Sequence, residues 1–321
     1  MRNPRLLETK DTLNIQSLKH LALQMGIPKE EIIDIASNIK KHYRTEEKTI
    51  EKPDGGIKKR TIYHPSHRLE KILKAIYNYL LKKIKFSEVV HGSRKKHCPL
   101  TNAKIHVGQR YVLGFDIESF FPSIRPYNVF NMFRRLNCSP EVSKYLTRLC
   151  TADNHVPQGY NTSPAIANLV LVPATERLHG LAKKHGMSLG TFIDDICFSG
   201  NNNPAKYMKT IEKIINECGY RLKSEKTTLM KKNQQQKVTG VVVNVKPNID
   251  KKSFQDLKNI IHICHMYGPS VLIGKIKNKQ GKTIDTTERL KNHLLGRLSH
   301  VNQLNLHKAE TLRSKFKGIA W

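Results

Sequence analysis

The chain has 321 residues, enough for a sizeable core and roughly two or three structural units. Its 56 Lys and Arg against 26 Asp and Glu leave a net charge of +30, which argues against a lone metabolic enzyme and for a polyanionic partner, either nucleic acid or an anionic membrane. No apolar run approaches the ~18 residues of a membrane span, and Met1 to Lys10 lack the apolar core of a signal peptide. Cys98, Cys138, Cys150, Cys197, Cys218 and Cys264 are irregularly spaced without a C-x-x-C pair, so neither a zinc site nor a disulfide framework is expected, and a reducing cytosol is.

Residues 11–44 read as helical, with Leu18, Leu21 and Met25 at helical spacing, a restart at Pro28 and a basic end from Lys40 to Arg44. Residues 46–64 alternate around Pro53-Asp54-Gly55-Gly56, which predicts a β-hairpin with a glycine turn and a second strand through Arg60-Thr61-Ile62-Tyr63. Leu69, Ile72, Leu73, Ile76, Leu80 and Ile84 repeat at three and four, an amphipathic helix with lysines on its other face. Residues 111–117 form an apolar strand, Pro164 to Leu171 a buried helix start, and 189–199 a hairpin with Asp194-Asp195 at its tip. Lys237 to Val245 reads as one more strand. From Ser253 the chain is helical and basic, interrupted by the lysine-rich loop Gly274 to Gly281. Strands alternating with helices, then a helical tail, give an α+β class.

Two acidic strings carry the chemistry. Phe115-Asp116-Ile117 and Phe192-Ile193-Asp194-Asp195-Ile196 set aspartates inside apolar, strand-like runs, where a carboxylate is unfavourable and a pair more so. Alone, Asp116 reads equally well as a strand end and Asp194-Asp195 as a solvated turn, although that turn lacks the Gly or Asn of a tight hairpin. Three carboxylates brought together repel unless cations hold them, and two Mg²⁺ ions serving phosphoryl transfer are the natural occupants. Between them, Val156-Pro157-Gln158-Gly159-Tyr160 leads into a helix start at Thr162-Ser163-Pro164.

The order Asp116, Pro157-Gln158-Gly159 with Thr162-Ser163-Pro164, then Asp194-Asp195 resembles the reverse transcriptases. Asn102-Ala103-Lys104-Ile105-His106, Val238-Thr239-Gly240 and Phe120-Phe121-Pro122-Ser123-Ile124 after Asp116 make it similar to the bacterial retron type over roughly residues 45–300. The resemblance implies a right-hand polymerase with fingers, a palm with an antiparallel sheet and a helical thumb. Its expected units are an N-terminal helical extension (1–45), fingers and palm (46–245), and a helical thumb with an RNA-recognition region (246–321). It implies catalysis by Asp116, Asp194 and Asp195, which with the Ile117 backbone carbonyl hold two Mg²⁺ ions. Arg60, Lys58, Phe121, Gln158, Gly159 and Lys226 are expected at the incoming dNTP, with Phe121 blocking a ribose 2′-OH.

Asn102, His106, Val238, Thr239, Gly240, Lys275 and Lys277 are the expected RNA contacts. For Asn102 and His106 a structural hydrogen bond is an equal alternative, and Phe121 reads equally as a core aromatic. The remaining basic runs suit contacts to the nucleic-acid backbone. A retron enzyme implies a cognate non-coding RNA, a branched RNA–DNA product (msDNA) primed from a guanosine 2′-OH, a separate effector protein in an antiphage system, a bacterial cytoplasmic location and no membrane partner. A group II intron-like or diversity-generating reverse transcriptase, or a catalytically dead RNA-binding scaffold, remain the alternatives. One departure stands out: where the family has Tyr and then a small residue before its two aspartates, this chain has Phe192-Ile193.

Overall fold

The computed structural model describes residues 12–51, 56–278 and 281–321; the glycine turn expected at 53–55 lies outside the described residues. Helices α1 (Leu18–Met25) and α2 (Lys29–Ser37) open the chain, Ser17 capping α1 by accepting from the His20 amide. Strands β1 (Tyr43–Glu51) and β2 (Ile57–Pro65) pair antiparallel from Tyr43↔Pro65 to Glu51↔Ile57. Helix α3 (His67–Ala75) turns Leu69, Ile72 and Leu73 fully inward, as its spacing predicts. The short α4 (Pro99–Lys104) precedes β3 (Tyr111–Asp116).

A further block of helices follows: α5 (Phe120–Ser123), α6 (Pro126–Arg135), α7 (Pro140–Cys150) and the 22-residue α8 (Ser163–Lys184). Then come β4 (Ser188–Phe192), β5 (Asp195–Gly200), α9 (Met208–Glu217), β6 (Thr228–Lys231), β7 (Lys237–Val238) and β8 (Val241–Val242). Helices α10 (Lys251–Tyr267), α11 (Thr287–Leu304) and α12 (Leu306–Lys317) close the chain.

The central sheet has the order β4-β5-β3-β6, with every neighbouring pair antiparallel. Side chains alternate across a strand, and here both faces are covered. Leu113, Phe115, Ile196 and Phe198 belong to a core shared with α1–α3 and α6–α9. Val112 and Cys197, the intervening residues, belong to a second core with Ala103 of α4, β7, β8 and α10–α12. A one-residue slip of β3 against β5 would exchange the two sets, so the register is strongly held. The arrangement is that of a right-hand polymerase: the sheet as palm, the β1–β2 hairpin as fingers, the C-terminal helices as thumb.

The structure corrects two expectations. Lys237 to Val245 is no single strand. Thr239 (φ 45) and Gly240 (φ 85) both take left-handed backbone, which folds the segment into a hairpin pairing Lys237↔Val242 and Val238↔Val241. Residues 125–155, for which the sequence predicts no element, hold α6 and α7.

The assignment of Asn102, His106 and Val238 to RNA contact is also overturned, because all three are buried, at 0%, 0% and 2% exposure. Asn102 and His106 face Gly190 of β4, where an added Cβ would lie 2.2 Å from Asn102 Oδ1 and 2.8 Å from His106 Nε2. The other ring nitrogen of His106, Nδ1, is 2.6 Å from Ser199 Oγ of β5. Thr239, half-buried, donates its hydroxyl to the Pro99 carbonyl of α4 at 2.9 Å. The two signature strings therefore meet at α4, between the sheet and the β7–β8 hairpin. His106 and Thr239 bond within the protein there, while the buried Asn102 amide packs without a hydrogen-bond partner among the described residues.

Gly190→Ala is accordingly expected to lower the melting temperature by several degrees. Gly180→Ala, in α8 with nothing within 4 Å of the new methyl, should raise it through the roughly 1 kcal/mol gain in helix propensity. Thermal melts of both variants test the close approach at Gly190.

Candidate active site

Asp116 ends β3 directly opposite Asp195, the first residue of β5. Directly opposed residues of an antiparallel pair point to the same face, and like charges there repel. Phe192 pairs with Asp195, so the hairpin tip is Ile193-Asp194, one residue earlier than expected. The Ile117 amide donates to the Asp194 carbonyl at 3.0 Å, which folds the tip against the end of β3. Asp116, Ile117 and Asp194 line a cleft of about 740 Å³.

Asp195 sits deeper, and its carboxyl is pushed up to about 6 by burial first, then by the charges of Asp116 and Asp194, with Lys226 opposing. Lys226 forms an ion pair with Asp116, and the Lys223 amide donates to the Asp116 carbonyl at 2.9 Å.

Reverse transcriptases generally use divalent metal ions, and the donor chemistry here suits them. Hard carboxylate and carbonyl oxygens are the ligands of Mg²⁺. Burial and then the neighbouring carboxylates lift Asp195, and a cation would offset the repulsive part. Among the described residues, no three carboxylate or imidazole groups are already gathered as a complete cage. Asp116 and Asp194 are the pair presented to the cleft.

The opposite wall comes from β2, whose Lys59, Arg60, Thr61 and Tyr63 line the same cleft. The Lys58 side chain lies outside the described residues. Gln158, Gly159 and Lys226 also line it. The Tyr63 amide donates to the Gln158 carbonyl at 2.7 Å, and a Cβ on Gly159 (φ 125) would fall 2.2 Å from the Tyr63 carbonyl oxygen. A glycine is thus required where the loop before α8 meets the hairpin. Phe120 and Phe121 both line the cleft, and Phe121 also packs against the main core. Phe120 is buried, edge-on to Tyr220 with ring centroids 5.3 Å apart, whereas Phe121 is half-buried. Lys275 and Lys277 are exposed and lie outside the cleft lining, as does the exposed Gly240.

Several residues at the site carry no expectation from sequence: Lys59, Lys223, Gly92 and Asn168. Residues 89–92 run beside β4, the His91 amide donating to Thr191 O and the Thr191 amide to Val89 O, both at 2.8 Å. A Cβ on Gly92 would meet the Ile193 nitrogen at 2.6 Å, and the Gly92 carbonyl accepts from Asn168 Nδ2 of α8 at 2.7 Å. The acidic tip is therefore braced from behind. Asn168 offered a signal, since a polar residue within an apolar helix start needs a buried partner.

Residues 50–243 match the family model described as Reverse transcriptase (RNA-dependent DNA polymerase). The chain is 32% identical over 222 residues to the Retron Ec86 reverse transcriptase of Escherichia coli, covering 67% of this chain and 68% of that protein. It is 30% identical over 265 residues to the Retron Se72 reverse transcriptase of Salmonella heidelberg (strain 579083-10), with coverages of 79% and 69%. Against the Retron Mx65 reverse transcriptase of Myxococcus xanthus it is 28% identical over 317 residues, with coverages of 92% and 69%. The chain belongs to the reverse transcriptase family and is a retron-type RNA-directed DNA polymerase.

The raised Asp195 carboxyl fixes a sign for stability. The fold favours the protonated form, so the contribution of Asp195 to stability is fullest below its ordinary value of 3.8 and is lost as pH rises through about 6. Asp195→Asn should therefore stabilise the metal-free protein at neutral pH, by up to about 3 kcal/mol, with the advantage vanishing near pH ~4. Thermal melts in chelator across that range check this, and DNA synthesis by the same variant should be lost.

Proposed function

We propose that this polymerase copies a cognate structured non-coding RNA into DNA from dNTPs, priming at a guanosine 2′-OH to give a branched RNA–DNA product. We infer that it acts in the bacterial cytoplasm, in an antiphage unit with a separate effector protein. The retron relatives support this reading. The observation that carries the site is the convergence of Asp116 and Asp194 with Arg60, Lys226, Gln158 and Phe121 on one cleft.

Asp116, Asp194, Asp195 and the Ile117 carbonyl would hold two Mg²⁺ ions, which when bound activate the attacking hydroxyl and neutralise the leaving pyrophosphate. Arg60, with Lys59 and Lys58 beside it on β2, meets the triphosphate from the fingers side, and Lys223 and Lys226 meet it from the palm. Gln158 and Gly159 offer the nucleotide a flat, backbone-lined surface. The half-buried Phe121 lies under the sugar and rejects a 2′-OH by clash.

RNA affinity rests on exposed cations along residues 246–321, including Lys251, Lys252, Lys275 and Lys277, with Lys231 and Lys232 before them. Gly240 and the outer edge of Thr239 are the parts of that signature string open to RNA. In this division, residues 1–45 are a helical extension, 46–245 the fingers and palm, and 246–321 the thumb.

Asp116→Asn or Asp194→Asn should abolish DNA synthesis while leaving RNA affinity within about twofold, since the phosphate contacts lie elsewhere. The cognate RNA should still outcompete a scrambled one at moderate salt. Primer extension and filter binding read these outcomes, and equal binding of the two RNAs would contradict a retron role.

Phe121→Ala should admit ribonucleotides with deoxynucleotide use partly retained. A purely core role predicts instead a loss of roughly 3–5 kcal/mol of stability and of both activities together. Incorporation of each nucleotide type, measured with the melting temperature, separates these.

A further inference from the structure

Residues Ala152 and His155 exchange amide–carbonyl bonds, both 3.0 Å, across a tight turn whose two central residues, Asp153 (φ 45) and Asn154 (φ 61), take left-handed backbone. Asp and Asn are the side-chain-bearing residues that most readily adopt that conformation. The turn lifts the Asp153 carboxylate toward the fingers hairpin. There it accepts one phenol from each strand: Tyr43 Oη of β1 at 2.7 Å on Oδ1, and Tyr63 Oη of β2 at 2.9 Å on Oδ2. The two tyrosine rings lie 5.6 Å apart, and His155 packs edge-on against Tyr63 at 5.4 Å.

Bonds to an ionised acceptor are the strong ones. Burial and then the Asp153 bond push the Tyr43 phenol up to about 12, and the Tyr43 and Tyr63 bonds hold the Asp153 carboxyl below its ordinary value. Tyr63 is thereby tied to the palm at both ends, its amide to Gln158 and its phenol to Asp153. Arg60 and Lys59 stand three and four residues along the same strand, roughly 10 to 13 Å out. They form the free arm of a lever whose fixed point is Tyr63.

We propose that Asp153 is a positioning residue for nucleotide capture. By clasping Tyr43 and Tyr63 it sets the reach of Lys59 and Arg60 to the triphosphate, while touching neither the substrate nor the carboxylates at the end of the sheet. The inference rests on the reading of Arg60 as a triphosphate contact.

The test uses the full-length protein with an RNA template, a DNA primer, Mg²⁺ and varied dNTP. Asp153→Ala is expected to raise KM for dNTP about tenfold, with kcat changed less than about threefold and the melting temperature nearly kept. Tyr43→Phe/Tyr63→Phe, which preserves ring packing and removes both donors, should reproduce that shift. Asp153→Asn, which keeps one acceptor oxygen, should fall between. In an Arg60→Ala background the effect of Asp153→Ala should shrink, because two residues acting through one arm are not additive.

Unchanged KM in the double tyrosine variant overturns the clasp, as does a fall of kcat and melting temperature in parallel with the rise in KM, which marks a merely structural role. If Asp153→Ala does not fold, the tyrosine variant decides alone. If Arg60→Ala leaves KM unchanged, the triphosphate reading of Arg60 fails by itself. A raised KM in the clasp variants then sustains the lever through Lys59, and an unchanged one overturns it.

Discussion

Everything in the site follows from holding Asp116 and Asp195 directly across from each other in a sheet buried on both faces. Burial first, and then the facing charges of Asp116 and Asp194, raise the Asp195 carboxyl, so the position is a net cost. The fold keeps them there because it has no cheaper register. Leu113, Phe115, Ile196 and Phe198 fill one core and Val112 and Cys197 the other, so sliding β3 against β5 would disrupt both cores at once. The apolar alternation sets the register, and the register sets the carboxylates.

Three glycines convert that sheet into a site by letting backbones approach closely. Gly92 meets the Ile193 turn, Gly159 meets Tyr63, and Gly190 meets Asn102 and His106. Each joins one layer to the next: a loop to the acidic tip, the helix α8 entry to the β1–β2 hairpin, and α4 to the central sheet. A methyl at any of them would push apart layers that these close approaches hold together. The basic excess of the chain plays a different part. It supplies long-range attraction for nucleic acid, but the residues that meet the cleft are few and are carried on elements whose position these contacts define.

Strands and amphipathic helices were legible where burial is one-sided or periodic. The run 111–117, the helix from Leu69 and the acidic hairpin could be read because their alternation is strong. The palm's carboxylates stood out because an aspartate in an apolar strand demands a reason. What escaped was tertiary. Asn102 and His106 look like surface polar residues in a basic segment, and only the fold reveals that Gly190 gives them a place to pack. Val238-Thr239-Gly240 passes for strand because its flanks are valines, while a single glycine with its neighbour in left-handed backbone reverses the chain. Asp153 has no local signal of a role, since its partners are 110 and 90 residues away.

The Phe192-Ile193 departure finds its physical meaning in the same geometry. Position 193 is the first residue of a two-residue turn and has φ 62, a conformation that costs a β-branched residue about 1–2 kcal/mol. An isoleucine persists there only if its side chain is held. Ile193 packs against the main core, and Gly92, tied by Asn168, closes on its nitrogen and Cγ1. The strain and its brace act together: a residue that resists the turn is clamped into it, so the Asp194 that follows is aimed by packing rather than by the flexibility of a small residue. Phe192 fits the same logic, since it pairs with Asp195 and keeps an aromatic ring beside the carboxylates without adding a hydroxyl. The acidic tip of this chain is therefore stiffened from behind, through α8.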